Sequence, residues 1–104
     1  METQVHHKKG RVRISGEMTV HAAAALNQEL LAVLGRHPRA TQLDLSEVSE
    51  FDTAGLQLLL NARRFAAANG GALQLADLSQ VVHATLTLCQ LTALLPASTP
   101  ERAA

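Results

Sequence analysis

The chain has 104 residues, nine of them Lys or Arg and nine Asp or Glu, with 47% hydrophobic residues, 2% aromatic residues and one cysteine. That length accommodates one core, so a single domain over residues 1–104 is expected, with its core at about 11–95 and a frayed tail at 97–104. Formal neutrality and the absence of Trp and Tyr argue against nucleic acid as a partner, and no apolar run nears the ~18 residues of a membrane span or resembles a signal peptide, so a cytoplasmic protein without membrane insertion is expected.

In chain order, residues 4–7 and 11–15 alternate around Lys8-Lys9-Gly10 and predict a hairpin. Thr19 is placed to cap a first helix over residues 20–34, with Leu26, Leu30, Val33 and Leu34 at helical spacing and Gly35-Arg36-His37-Pro38 as its stop. Residues 42–45 predict a short strand, and residues 46–51 a polar connection. Asp52 then caps a second helix over residues 53–68, which Asn69-Gly70-Gly71 ends. A strand over residues 72–76 follows, and Ser79 caps a third helix over residues 80–89 with Val82, Thr85, Leu86 and Cys89 on one face. Leu91 to Leu95 suggest a further helical turn before Pro96. The order β, β, α, β, α, β, α predicts an α/β fold: a small mixed sheet with an N-terminal hairpin and three to four packed helices.

The chemistry is sparse. Zinc-ligand spacing, a phosphate loop and a nucleophile elbow are all missing, so neither a metal nor any other cofactor is expected, and no nucleophile and base can be paired to make an enzyme. Cys89, in an apolar periodic stretch, reads as a buried, inert thiol.

The informative stretch is Leu-Asp-Leu-Ser-Glu-Val-Ser-Glu-Phe-Asp-Thr-Ala-Gly-Leu-Gln-Leu-Leu-Leu, residues 43–60. With Asp52 as cap, Thr53 takes the first helical position and the N–H groups of Ala54, Gly55 and Leu56 lie at the positive end of the helix. A phosphate on Thr53 would add about −1.5 to −2 charges to a neutral chain. Gly55 costs about 1 kcal/mol relative to alanine inside a helix, which suggests that another backbone approaches it. The alternative is that Asp52 only caps, Thr53 only starts the helix and Gly55 only packs on the sheet. At ~100° per residue the apolar side chains of this helix sweep an arc of about 220°, more than one sheet face requires. Leu58 and Phe65, at one edge of that arc, are candidates for a partner or homodimer contact, with burial by a neighbouring helix as the alternative.

Leu-Asp-Leu-Ser-x-Val-x-x-Phe-Asp-Thr-Ala-Gly-Leu, the Leu-rich helix, Asn-Gly-Gly, the strand and a final Val-Val-x-x-x-Leu-x-Leu helix resemble a STAS domain, the fold of bacterial anti-sigma factor antagonists. The resemblance implies a non-enzymatic, protein-binding switch: Thr53 as phosphoacceptor for a GHKL-type kinase, Asp52 beside it, and Ala54, Gly55, Leu56 and the edge of the second helix as docking surface. Where antagonists carry Gly-Glu-Leu-Asp and a serine acceptor, this chain has Gly16-Glu17-Met18-Thr19 and Thr53. In these positions it is more similar to STAS proteins that accompany chemotaxis-type kinases. It is also similar to the STAS subunit of the ABC transporter that maintains lipid asymmetry, whose Asp-Thr-x-Gly segment docks on the ATPase.

Overall fold

The computed structural model describes residues 3–91. Strands β1 (Gln4–Lys8) and β2 (Arg11–Met18) form the hairpin, followed by α1 (Ala23–Arg36), β3 (Gln42–Phe51), α2 (Thr53–Ala68), β4 (Gln74–Leu78) and α3 (Gln80–Leu88). The sheet order is β1-β2-β3-β4, antiparallel in the hairpin and parallel from β2 onward. This is the mixed α/β architecture expected, with three helices among the described residues.

The hairpin turns on two residues, Lys9 and Gly10, with φ of 51° and 78°, the sign pair of a type I′ turn that matches the twist of the flanking strands. Alternation along β2 then divides the sheet. Val12, Ile14 and Met18 are fully buried on one face, together with Leu43, Leu45 and Val48 of β3. All three helices deliver their buried residues to that same core, Leu30 from α1, Leu59 from α2 and Val82 and Leu86 from α3 among them. Arg11, Arg13, Ser15 and Glu17 alternate with the buried residues and lie on the opposite face. There Arg11 spans three strands: its Nε donates to Asp44 Oδ2 at 3.1 Å, its Nη1 to Gln42 Oε1 at 3.0 Å and its Nη2 to Asp77 Oδ2.

Several boundaries differ from the expectation, each for a local reason. Residues 46–51 are not a connection but the second half of β3. Two register shifts against β2 place extra residues in β3, where Arg13 and Ser15 face Asp44 and Glu47, and Gly16 and Glu17 face Val48 and Glu50. Buried side chains consequently fall at Leu45, Val48 and Phe51, a spacing of three that conceals a strand of period two. The first helix begins at Ala23 rather than residue 20, and Ala22, not Thr19, is its cap. The Thr19 carbonyl accepts the Ala22 N–H at 3.0 Å, whereas its Oγ1 is buried without a partner among the described residues. Ser79 precedes α3 as expected but makes no side-chain cap.

Cys89 is exposed, contrary to the buried thiol expected. The helix ends at Leu88, and Gln90 takes φ +59°. The Leu91 N–H then reaches the Leu86 carbonyl at 2.8 Å and the Gln90 N–H the Thr87 carbonyl at 3.0 Å, the paired bonds of a Schellman motif. The reversal carries Leu91, not Cys89, onto the core. The expected helical turn to Leu95 and the tail at 97–104 lie outside the described residues.

Candidate functional site

The site grows from the junction of β3 and α2. Asp52 caps α2 from an extended conformation (φ −132°, ψ −168°), its Oδ1 accepting the N–H groups of Ala54 at 2.9 Å and Gly55 at 3.1 Å. Its Oδ2 accepts the N–H of Val20 at 3.1 Å, and its own N–H donates to the Met18 carbonyl at 3.3 Å. One carboxylate thus fastens the start of α2 to the exit of β2, 32 residues earlier in the chain. Desolvation pushes the Asp52 carboxyl up, but the N–H groups of Val20, Gly55 and Ala54, with nearby His21, outweigh it and hold the group below the usual carboxylate range.

Gly55 has its explanation in the same junction. A Cβ there would stand 2.2 Å from the Met18 carbonyl oxygen and 3.0 Å from Phe51 Cδ1. The backbone that approaches this glycine belongs to the chain itself, and Gly55 is buried rather than part of a docking surface. The same correction applies to Leu58, which is 4% exposed and belongs to the core. Phe65 is half-buried and packs on the core, its ring 4.0 Å from where a Cβ on Gly35 of α1 would lie. The wide apolar arc of α2 therefore serves two neighbours, the sheet and α1. Phe65 also follows Thr53 by twelve residues, about 18 Å along a helix, and cannot share one small patch with it.

Thr53 is exposed, and Ala54 and Leu56 beside it are half-buried. The N–H groups that would welcome a phosphate are occupied: those of Ala54 and Gly55 bond the Asp52 carboxylate, and that of Leu56 bonds the Asp52 carbonyl at 3.0 Å. A phosphate on Thr53 would meet an adjacent carboxylate instead. Val20, which no sequence signal marks, is 66% exposed and is tied to Asp52. It lay inside a segment assigned to helix, and no local pattern announces a bond across 32 residues. At the adjoining strand ends Glu17 and Glu50 are register partners, and Glu17 pushes the Glu50 carboxyl up. The surface around Thr53 is thus a small, partly apolar patch beside an acidic border. No group of metal-ligating side chains is gathered among the described residues.

The family model described as "Mlab, STAS domain" matches residues 1–96. The chain belongs to the STAS family. This STAS domain is similar to a crystal structure of an anti-sigma factor antagonist from Mycobacterium paratuberculosis, at 27% identity and a TM-score of 0.72, over 91% of this chain and 82% of that one. It shares its fold with the anti-sigma factor antagonist SpoIIAA in its unphosphorylated form, at 20% identity and a TM-score of 0.60, over 83% of this chain and 82% of that one. No curated protein matches it significantly. Among the described residues no helix is long and apolar enough to cross a membrane.

Proposed function

We propose that this STAS domain is a cytoplasmic, non-enzymatic regulatory module that binds another protein through the patch of Val20, Thr53, Ala54 and Leu56, and that phosphorylation of Thr53 releases the partner. The observation that carries this reading is the exposed Thr53 at the first position of a helix whose first-turn N–H groups are already capped by Asp52. The fold does not use that hydroxyl among the described contacts, so the site can change charge without loosening the core. A kinase of the GHKL or chemotaxis type would transfer a phosphoryl group from ATP to Thr53 Oγ1, the hydroxyl losing its proton and ADP leaving. The product sets about −1.5 to −2 charges beside Asp52, and a partner burying this patch would have to desolvate both.

Similarity to an anti-sigma factor antagonist supports a partner of the anti-sigma or kinase class. A second reading is favoured by the description of the matching family model: the same patch docks on the ATPase of an ABC lipid transporter. Both readings place Thr53 in the contact, and they differ in whether it is modified.

Affinity purification from the native host, with mass spectrometry of the co-purifying proteins and of the Thr53 peptide, separates them. A kinase together with phospho-Thr53 supports the switch, and an ABC ATPase with unmodified Thr53 supports the transporter subunit. With the partner in hand, Thr53→Glu is expected to weaken binding at least about tenfold, which is ~1.4 kcal/mol, while changing the stability of the domain by no more than about 0.5 kcal/mol. Wild-type affinity in the acidic variant would refute the switch.

A further inference from the structure

The chain is neutral, but its charge is segregated by the fold. Six of the nine Lys and Arg residues, Lys8, Lys9, Arg11, Arg13, Arg36 and Arg39, come together where the β1–β2 turn meets the C-terminal end of α1. Two contacts fix that meeting. The imidazoles of His7 and His37 stack with centroids 3.6 Å apart and planes 9° from parallel, and the Gly10 carbonyl accepts the N–H groups of Thr41 and Gln42 at 3.0 and 3.2 Å. Parallel pairing of β2 with β3 puts Glu17, Glu50 and Asp52 at the opposite end.

Arg11 is matched by Asp44 and Asp77. Lys8, Lys9, Arg13, Arg36 and Arg39 are all exposed, and none forms an ion pair among the described residues. Arg13 stands on the sheet face opposite the helices, whereas Arg36 and Arg39 come from the end of α1 and the loop after it, on the helix-bearing side. Two open grooves of about 350 and 320 Å³ flank the turn and share His7, one lined by Lys8, Lys9 and Arg13 and the other by Arg36, His37 and Arg39.

We propose that this end of the molecule is a second docking surface, which holds an acidic segment of a protein partner by running it through the two grooves around the hairpin turn. Guanidinium groups pair carboxylates in a two-pronged geometry, and three arginines spread over both grooves suit a flexible chain of Asp and Glu. A bilayer, being flat, would touch the ridge between the grooves and leave their walls unused. Among the described residues the exposed large apolar side chains, Val20 and Leu88, belong to the α2 junction and the end of α3, so those residues give this surface no wedge for lipid. To nucleic acid it offers no free Phe ring, since Phe51 is buried and Phe65 packs on the core, and the His7 and His37 rings are already stacked on each other.

The test uses a fluorescein-labelled decaglutamate peptide and the full chain, followed by fluorescence anisotropy. Binding is expected at an ionic strength of about 0.01 M and is expected to weaken at least about tenfold at ~0.15 M, as the Debye length contracts from ~30 to ~8 Å. Two double variants, Lys8→Gln with Arg13→Gln in one groove and Arg36→Gln with Arg39→Gln in the other, are each expected to lose about tenfold in affinity, since either groove alone holds only part of the peptide. Arg64→Gln, on the exposed side of α2, is expected to bind as wild type, and circular dichroism checks that each variant is folded. The proposal is overturned if the peptide fails to bind at low salt or if folded double variants retain wild-type affinity. Tighter binding to phosphatidylserine vesicles or to duplex DNA than to the peptide would overturn it equally and assign the surface to that ligand.

Discussion

At Gly55 two rules of thumb give opposite signs, and the geometry decides between them. Helix propensity alone says that alanine would stabilise α2 by about 1 kcal/mol. The Met18 carbonyl oxygen, 2.2 Å from the added carbon, is backbone and cannot swing aside. Gly55→Ala is therefore expected to destabilise the domain by about 1–3 kcal/mol, the usual cost of forcing atoms into a filled core, as read from the midpoint of urea unfolding. Asp52, one turn away, predicts a response to acid. Its carboxyl titrates lower when folded than when unfolded, so its contribution is complete above the unfolded value of about 3.9 and is lost as the pH falls through the folded value. The wild type is expected to lose thermal stability below about pH 4 more steeply than Asp52→Asn, although some steepness should persist because Asp44, also held low, is unchanged. Parallel acid profiles for the two proteins would show that the caps do not depend on charge.

Elements were legible in the sequence where their signals were local. Asp52 as a cap, Gly70 after α2 and the Lys9-Gly10 turn all announce themselves within four residues of where they act. The second half of β3 did not, because its bulges against β2 break the alternation by which a strand is recognised. The start of α1 was displaced as well: residues 19–22 form a turn closed by the Ala22 N–H on the Thr19 carbonyl at 3.0 Å, and the bond that ties Val20 to Asp52, coming from so far along the chain, leaves no mark on those residues. At the other end of the fold, Gln90 occupies a left-handed conformation at the close of α3, where glycine is the usual occupant. Gln90→Gly is expected to stabilise the domain by about 0.5–1 kcal/mol by removing the Cβ from that conformation. Thermal melts would check it, with a rise of roughly 2–8 °C expected for a domain of this size. An unchanged or lowered melting temperature would mean that the Schellman turn is not strained.

On the scale of the whole molecule, zero net charge concealed more than it revealed. Counting nine cations against nine anions argues against a nucleic-acid partner but says nothing of where the charges gather. The fold nevertheless gathers the cations from residues 8–13 and 36–39 at one end and leaves Glu17, Glu50 and Asp52 at the other. Thr53 stands at the acidic end, so adding a phosphate there would deepen an existing asymmetry rather than create one. The two proposed surfaces are separated by the length of the sheet, which leaves room for one partner at Thr53 and another at the hairpin turn.

The strand order β1-β2-β3-β4 has a consequence for how the chain acquires its shape. Each strand pairs with the one made just before it, so none has to be inserted between two already joined. As the chain leaves the ribosome, at ~5–20 residues per second, the hairpin offers β2 as a template for β3, and β3 then offers its free edge to β4. The core can thus assemble in the order of synthesis, and the last described helix, α3, covers four described strands that have already paired.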